Sequence, residues 1–460
     1  MPAATRRRRL RPAARSFLAS LRAFLTPAVW KAAHHARPRR QRSPRWDSQP
    51  LLVVLLTMTW CCGDSLAERF ETARAFAGVC LSKRRRPGKT LSGFHKALAR
   101  LPVAVLRAVA AALRRRLAAR FDLSTDGFHV FGCDGSRLEC PRVEALERRL
   151  GRIGKKAVAP VAPMVWVTAL VHLRTGLLWA WRLGKGTAAE RRHLVTLLPT
   201  LPAFSLVVAD AGFNGYALAQ ALVQAQASFL IRMSGKLSLY VEQPVAVKDF
   251  REGPVCCWPQ EARRAKQPPL RLRLLRLRGP KRRDVWLLTN VLDGQRLSAE
   301  QAGRYYRWRW ESEGLFRTYK RTLNKVKLLS RTVRLVHREA EGSLLATQLL
   351  LALGVQGISR ASGAAAAASK EGTAVGEPQR CSPRQVLRLI RRAINGSGGP
   401  GGSFAEQVRA ARRERRRRKS KKVKRRWPRR KASQRLKPPK FLVLSERLKA
   451  LRAKLESSAA

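Results

Sequence analysis

The sequence predicts a mixed α/β fold: a sheet flanked by helices, preceded by a helical segment and interrupted by a β-rich insertion. Two observations predict it. Strand-like runs begin only after about residue 123, and two of them end at an aspartate, Asp134 and Asp210. A later helical stretch, Tyr306 to Lys320, carries charged residues at helical spacing. In the predicted fold, the strand ends therefore carry acidic groups, and a later helix carries acidic and basic groups together.

The strand prediction rests on apolar runs and turn residues. FHVFGCDG, PMVWVTALVHL and GLLWAWRLG are typical of three strands, the last two joined through Arg174-Thr175-Gly176 as a hairpin. AAERRHLVTLLPTL is typical of a helix, and the fully apolar run Leu206 to Ala209 of a strand covered on both faces. Asp210 follows that run, before Gly212 and Asn214, and so stands at a strand end where open α/β sheets usually bind ligands.

The stretch YRWRWESEGLFRTYK places Tyr306, Arg309, Glu313 and Lys320 at offsets of 0, 3, 7 and 14. On a regular helix these offsets fall within roughly a 60° arc. One face then presents a hydroxyl, a guanidinium, a carboxylate and an ammonium, a set suited to a metal-bound phosphodiester. Taken alone, the same pattern also fits a solvated, salt-bridged helix face, and a lone strand-end Asp also fits a cap or turn residue.

Taken together, these motifs resemble the DDE transposases of bacterial insertion sequences. The resemblance is to the insertion-sequence-four group, marked by Y-x2-R-x3-E-x6-K, and covers roughly residues 50 to 350. The first acid of the family matches Asp134-Gly135-Ser136, and the second matches Asp210-Ala211-Gly212-Phe213. Ala211 departs from the pattern, which commonly has a basic residue there, and the Arg-rich termini lie outside it.

The resemblance implies a ribonuclease-H-like sheet whose first and fourth strands are neighbours, with Asp134 and Asp210 side by side. It also implies that Asp134, Asp210 and Glu313 are catalytic and hold two Mg²⁺ or Mn²⁺ ions. Tyr306, Arg309 and Lys320 would then bind DNA phosphates. Its partners would be double-stranded DNA, both terminal inverted repeats and target DNA, and a second copy of the chain in the DNA-bound assembly.

Composition points to a nucleic acid independently of any family. The chain has 95 Lys and Arg against 29 Asp and Glu, a formal net charge of +66. Such a self-repelling surface needs a polyanion to neutralise it. Between positions 412 and 431, 15 of 20 residues are Lys or Arg, which predicts DNA-backbone binding without sequence readout.

Composition shifts also divide the chain. Residues 1–48 are predicted to be a basic flexible arm, 49–122 a helical DNA-binding domain or else an ordinary packed one, and 123–358 the catalytic domain. A mostly β insertion is predicted at about 228–298, with Trp258 either in its core or stacking on a displaced base. Residues 359–460 are predicted to be a linker and a basic C-terminal tail.

The cysteines, the apolar runs and the motifs exclude several other classes. The eight cysteines include two adjacent pairs but no C-x-x-C, which indicates reduced thiols rather than zinc ligands or disulfides. The longest apolar run, LLVVLLTMTW, is too short to span a membrane. Gly88-Lys89-Thr90 lacks the earlier glycine of a phosphate-binding loop. We therefore expect a cytoplasmic, nucleoid-associated protein.

These observations favour a cut-and-paste DNA transposase. Two alternatives remain open: another metal-dependent nuclease of the same fold, and a non-catalytic DNA-binding remnant of a decayed element. The complete signature and the three acids argue against decay.

Overall fold

The computed structural model describes residues 12–38, 46–82, 85–151, 162–233, 235, 237–279, 282–355, 381–397, 401–411 and 437–457. Among the described residues, six helices come first: α1 (Pro12–Arg22), α2 (Pro27–His35), α3 (Ser48–Trp60), α4 (Leu66–Cys80), α5 (Leu91–Arg100) and α6 (Val103–Arg120). Within the described residues, no helix is both long and apolar enough to cross a membrane.

The central part alternates strands and helices. Its elements are β1 (His129–Glu139), α7 (Glu144–Leu150), β2 (Met164–His172), β3 (Leu177–Lys185), α8 (Glu190–Leu197), β4 (Ser205–Ala209), α9 (Tyr216–Gln224) and β5 (Ser228–Arg232). They are followed by β6 (Ser238–Val241), β7 (Glu252–Cys257), α10 (Gln260–Arg264), β8 (Leu270–Gly279) and β9 (Arg282–Thr289).

Most of the described elements after β9 are helices. They are α11 (Ala299–Trp308), α12 (Trp310–Arg317), a π-helix (Thr318–Thr322), α13 (Val333–Val355), α14 (Pro383–Asn395) and α15 (Phe404–Ala410), followed by β10 (Lys440–Val443) and α16 (Glu446–Ser457).

The strands join into one ten-stranded mixed sheet in the order β10-β6-β7-β8-β9-β5-β4-β1-β2-β3. β1, β2 and β3 are antiparallel neighbours, whereas β4 runs parallel to β1, and β5 parallel to β4. The predicted adjacency of the first and fourth strands is thus confirmed. β4 is buried at every position, as its unbroken apolar run predicted.

The insertion continues this sheet instead of forming a separate layer. β5, which the sequence placed inside the insertion, pairs with both β4 and β9 and so belongs to the central sheet. Trp258 is fully buried, and its indole N–H donates to the Gln267 carbonyl over 2.8 Å. It is therefore a core residue and offers no face to a displaced base.

The described parts of both terminal regions contain more regular structure than the sequence predicted. The expected flexible arm contains α1 and α2, and both Phe17 of α1 and Phe24 after it are completely buried. The expected tail contains α14 and α15, which pack near α1 and α13, and β10, which pairs with β6. Arg-rich composition concealed these amphipathic faces, because it lowers mean hydropathy without breaking the spacing of apolar residues. The longer predicted linker, at 359–378, and the basic block at 412–431 lie outside the described residues.

Candidate active site

The two strand-end aspartates lie on adjacent strands at the same level of the sheet. Gly132 of β1 is in register with Val208 of β4, so Asp134 and Asp210 each stand two residues further along. The Asp134 Oδ1 atom accepts a hydrogen bond from the Gly135 N–H at 2.9 Å, and the Asp210 Oδ1 atom accepts one from Ala211 at 2.8 Å. Asp210 is thus the N-cap of a short 3₁₀ turn, which leaves its second oxygen for other partners.

The helical signature comes to the same edge of the sheet. The Tyr306 hydroxyl of α11 donates to Asp210 Oδ1 at 3.4 Å. Arg309, at the junction of α11 and α12, lies 3.7 Å from Glu313 through Nη2 and Oε1. Its guanidinium carbon stands 5.7 Å from the centre of the Tyr306 ring and 5.3 Å from that of Trp310. Three of the four signature residues are therefore held together, with Arg309 between two aromatic rings.

Lys320 is placed differently from the prediction of one continuous helix. α11 ends at Trp308, α12 begins at Trp310, and Lys320 lies in the π-helix that follows. A π-helix adds a residue per turn, so angles projected from an α-helix no longer hold at this position. Lys320 is partly buried, and this burial lowers the pKa of its ammonium group. No hydrogen bond or ion pair joins it to Tyr306, Arg309 or Glu313 in the described structure.

Close packing of α12 on β1 brings Glu313 toward Asp134. Ser312 is fully buried, and a Cβ atom added to Gly132 would lie 2.3 Å from its hydroxyl oxygen. Only a glycine on β1 admits the helix at this distance. No local pattern predicts this packing, because it joins residues far apart in the chain.

Partial burial and the charges of three acids and one arginine determine the pKa shifts in the site. Burial raises the pKa of Asp134; the Gly135 N–H and Arg309 lower it, while the charges of Glu313 and Asp210 raise it. Burial also raises the pKa of Tyr306, as does the charge of Asp210. The charges of two further acids thus act on Asp134, and a cation bound among them would be favoured.

Arg232 is a site residue that the sequence reasoning missed. Ala209 of β4 is in register with Ile231 of β5, so Arg232 stands beside Asp210 at the sheet edge. Its positive charge lowers the pKa of the Tyr306 hydroxyl. Its position after an apolar strand was visible in SFLIR, but the pairing of β5 with β4 was not predicted.

Glu190, at the start of α8, is a fourth carboxylate near this edge. A Cβ added to Gly135 would lie 2.0 Å from Glu190 Oε1, so the glycine after Asp134 leaves room for that acid. Side chains alternate along a strand, so Glu190 lies on the face opposite to the Asp134 side chain. Burial and the charge of Asp134 raise the pKa of Glu190, and Arg137 lowers it.

Carboxylate oxygens are the donors that Mg²⁺ and Mn²⁺ prefer, so the chemistry of this set fits such ions. In the described part of the chain, however, no three His, Cys, Asp or Glu side chains stand close enough together to hold a metal as they are. Glu313 faces Arg309 at 3.7 Å. The arrangement thus supplies hard anionic donors on two strands and one helix, with a guanidinium beside them. None of the eight cysteines forms a disulfide.

The sequence of the central part of the chain matches a known protein family. Residues 163–349 match the transposase DDE domain family. The matched range contains Asp210 and Glu313, while Asp134 lies upstream of it. No curated protein matches the sequence. A cryo-EM structure of a piggyBac transposase synaptic complex with hairpin DNA is similar over 88% of this chain and 85% of that one, at 13% identity and a TM-score of 0.40. The central part of the chain is therefore similar to the DDE domain of transposases.

Proposed function

We propose that the chain is a DDE-type transposase, which cleaves DNA at the ends of its own insertion sequence and joins those ends to target DNA. The complete Y-x2-R-x3-E-x6-K signature supports membership of the insertion-sequence-four group. We also propose that the terminal inverted repeats and the target are held by two copies of the chain.

The observation that carries this proposal is the meeting of three separate elements at one edge of the sheet. Asp134 and Asp210 are aligned by the β1–β4 register, and Tyr306 connects the signature helix to Asp210. Hydrolysis and strand transfer at a phosphodiester require anionic ligands for cations and basic groups for phosphate oxygens within one site. Both kinds of group are present here.

Asp134, Asp210 and Glu313 are the residues that would hold two Mg²⁺ or Mn²⁺ ions. Bound there, the ions would activate the attacking oxygen and stabilise the departing one. Burial, and to a smaller extent the charges of Glu313 and Asp210, raises the pKa of Asp134, and a bound cation would stabilise its ionised form. Glu313 would exchange part of its contact with Arg309 for this role.

The basic residues of the site are suited to the DNA strand itself. Arg309 is 7% exposed, and its Nε atom has no hydrogen-bond partner in the described structure. A buried guanidinium whose N–H group has no acceptor is suited to bind an anionic oxygen. We propose that Arg309, Arg232 and Lys320 hold phosphates beside the scissile bond, and that the Tyr306 hydroxyl orients one of them.

Replacement of each acid tests the proposal. We expect D134A, D210A and E313A each to abolish Mg²⁺-dependent cleavage of a duplex carrying the terminal repeats, while random-duplex binding stays near wild type. E311A is the matched control, since Glu311 lies two residues from Glu313 but lines a cavity with Thr175 and Arg384. Full cleavage by any of the three variants would overturn the assignment of that acid.

The same assay separates the two alternatives. A wild-type protein that cuts unrelated duplexes as well as terminal repeats, and joins neither to target, would be a different nuclease. A wild-type protein that binds DNA but cuts nothing with Mg²⁺ or Mn²⁺ would be a remnant of a decayed element.

A further inference from the structure

A cleft lined by arginines lies between the helical N-terminal part and the start of α13. It has a volume of about 560 Å³ and is lined by Ala99, Arg100, Pro102, Arg334 and Arg338. Arg100 ends α5, Pro102 precedes α6, and both other arginines belong to the first turns of α13. No acidic residue is among the described residues that line it, so three positive charges face one space.

Two of these arginines have no partner of their own. Arg100 and Arg334 are exposed, and neither guanidinium makes a hydrogen bond or an ion pair in the part of the chain that the structure describes. Arg338 is oriented by its Nε atom, which donates to the Leu101 carbonyl at 2.6 Å. Burial lowers the pKa of Arg338; Glu341 opposes this, and the charges of Arg334 and Arg107 add to it.

The nearby acids are already engaged. Glu339 faces Lys325 at 3.2 Å, and its second oxygen accepts from the Leu329 and Ser330 N–H groups at 3.0 and 2.9 Å. Glu341 accepts from the Trp181 indole at 2.6 Å and lies 3.6 Å from Arg107. These interactions leave the lining arginines without a full counter-charge from the protein. A cluster of like charges of this kind costs stability unless an anion joins it.

We propose that this cleft, termed the arginine cleft, binds phosphates of the backbone of double-stranded DNA, outside the catalytic site. The inference rests on the proposed function, because it names where the DNA substrate extends beyond the acids. Guanidinium groups match phosphate oxygens with paired hydrogen bonds. The interaction is independent of sequence, since the backbone carries no base information.

A polyanion fits better than a single small anion because the positive charge continues along the chain. The segment from the π-helix to α13 exposes Arg321, Lys327 and Arg331 before it reaches Arg334. Among these residues of the described structure, Lys327 alone has an acidic partner, Glu139 at 3.3 Å. DNA that follows this segment from Lys320 to the arginine cleft would therefore meet several further basic side chains.

The test compares two double variants of the full-length chain with the same change in charge. R100A/R334A removes two unpartnered arginines of the cleft. R74A/R148A is the control, because Arg74 and Arg148 are engaged by Glu71 and Glu144 on their own helices. Binding to a random-sequence duplex is titrated with salt. We expect R100A/R334A to reduce the slope of log K against log salt by roughly 1.8, which corresponds to two phosphate contacts.

We expect the control to reduce the slope by less than half as much, and R100K/R334K to restore most of it. Equal slopes for R100A/R334A and R74A/R148A would overturn the proposal. The melting temperature of R100A/R334A should equal or exceed that of wild type, because a repulsive cluster is removed. A variant that melts well below wild type would show that the arginines serve folding, which also overturns the proposal.

Two further arms identify the ligand and separate this inference from the proposed function. Inorganic phosphate and chloride at equal ionic strength should weaken wild-type DNA binding equally. Stronger competition by phosphate, abolished in R100A/R334A, would assign the cleft to a free anion and overturn DNA binding there. If wild-type protein cleaves no DNA at all, the proposed function fails, yet the slope comparison still decides whether the cleft binds the backbone.

Discussion

The Tyr306 hydroxyl donates to Asp210 Oδ1 at 3.4 Å, across 96 residues of sequence. This hydrogen bond joins α11 to the end of β4 and places the first residue of the signature against the second strand-end acid. The distance is long for an O–H···O bond, so its own contribution is small. Its importance is geometric, because Arg309 and Glu313 follow on the same chain segment.

Replacement of Tyr306 by Phe removes this donor and keeps the ring that packs against Arg309. A hydrogen bond contributes about 0.5–1.5 kcal/mol, and this long one should lie at the low end, so we expect the cleavage rate to fall roughly two- to threefold. Single-turnover cleavage of a bound terminal-repeat duplex measures it. Y305F is the matched control, since the Tyr305 hydroxyl donates to Asp126 at 2.6 Å and not to one of the three proposed catalytic acids. An equal loss of cleavage in both variants would contradict a specific role for Tyr306.

Replacement of Gly132 by Ala tests whether the spacing of β1 and α12 matters for chemistry. The new methyl group would lie 2.3 Å from the Ser312 hydroxyl and 2.6 Å from Leu173, so these two side chains or α12 itself must shift. Overpacking of this kind costs about 1–3 kcal/mol. Because Glu313 moves with the helix, we expect cleavage to fall at least tenfold at temperatures where the variant is fully folded by circular dichroism.

Gly212 supplies the control for that substitution. A Cβ atom there meets nothing within 4 Å, although Gly212 lies two residues from Asp210. G212A should therefore retain both stability and cleavage. If G132A melts at a lower temperature but cleaves normally when folded, the packing of α12 on β1 serves stability alone.

The sheet was the most predictable part of the molecule. Apolar runs of strand length, the Arg174–Gly176 turn and the acid after β4 all appear locally in the sequence, and period-2 patterns follow directly from strand geometry. Insertion of β6 to β9 into the same sheet was not predictable, because it depends on the pairing of β9 with β5. The position of Arg232 beside Tyr306 depends on register in the same way.

The signature helix shows why spacing alone is insufficient. An even advance of about 100° per residue put four side chains in one arc, and three of them do meet. The break at Arg309 and the π-helix at Thr318–Thr322 arise from packing on the sheet, which sequence periodicity does not encode. The charge-rich ends were misjudged for a related reason, since few but well-spaced apolar residues suffice to fold α1 and α2 onto a core.

The buried acid Glu341 predicts a pH effect on stability. It is 2% exposed, and burial raises its pKa above the ordinary 4.5; the Trp181 and Arg107 interactions only partly oppose this. Because the pKa of Glu341 is higher in the folded state than in the unfolded state, the folded state binds more protons. The stability that Glu341 contributes is therefore fully present below pH 4.5 and is lost as the pH rises through the folded-state pKa. E341Q lacks the titration. We therefore expect the melting temperature of E341Q minus that of wild type to increase as pH rises from about 4 to about 8. A constant difference would contradict the raised pKa.

The C-terminal region allows a separate test of the basic block at 412–431. Residues 437–457 must be kept, because Lys440–Val443 pairs with Ser238–Val241 in the sheet and Glu456 lies 2.9 Å from Arg271. Replacement of the Lys and Arg residues of 412–431 by Gln should weaken random-duplex binding. Each phosphate that the block no longer neutralises should make the salt slope shallower by roughly 0.9. Cleavage of pre-bound ends should persist, because the acids lie upstream.

The control for that replacement is truncation after residue 436, which removes β10 and α16 but retains the basic block. It should lower the melting temperature, because it exposes the edge of β6 and removes the partly buried Phe441 side chain, while the salt slope stays close to wild type. An unchanged slope in the Gln variant would mean that the basic block binds something other than DNA. A complete loss of cleavage in it would mean that the block belongs to the assembled active complex.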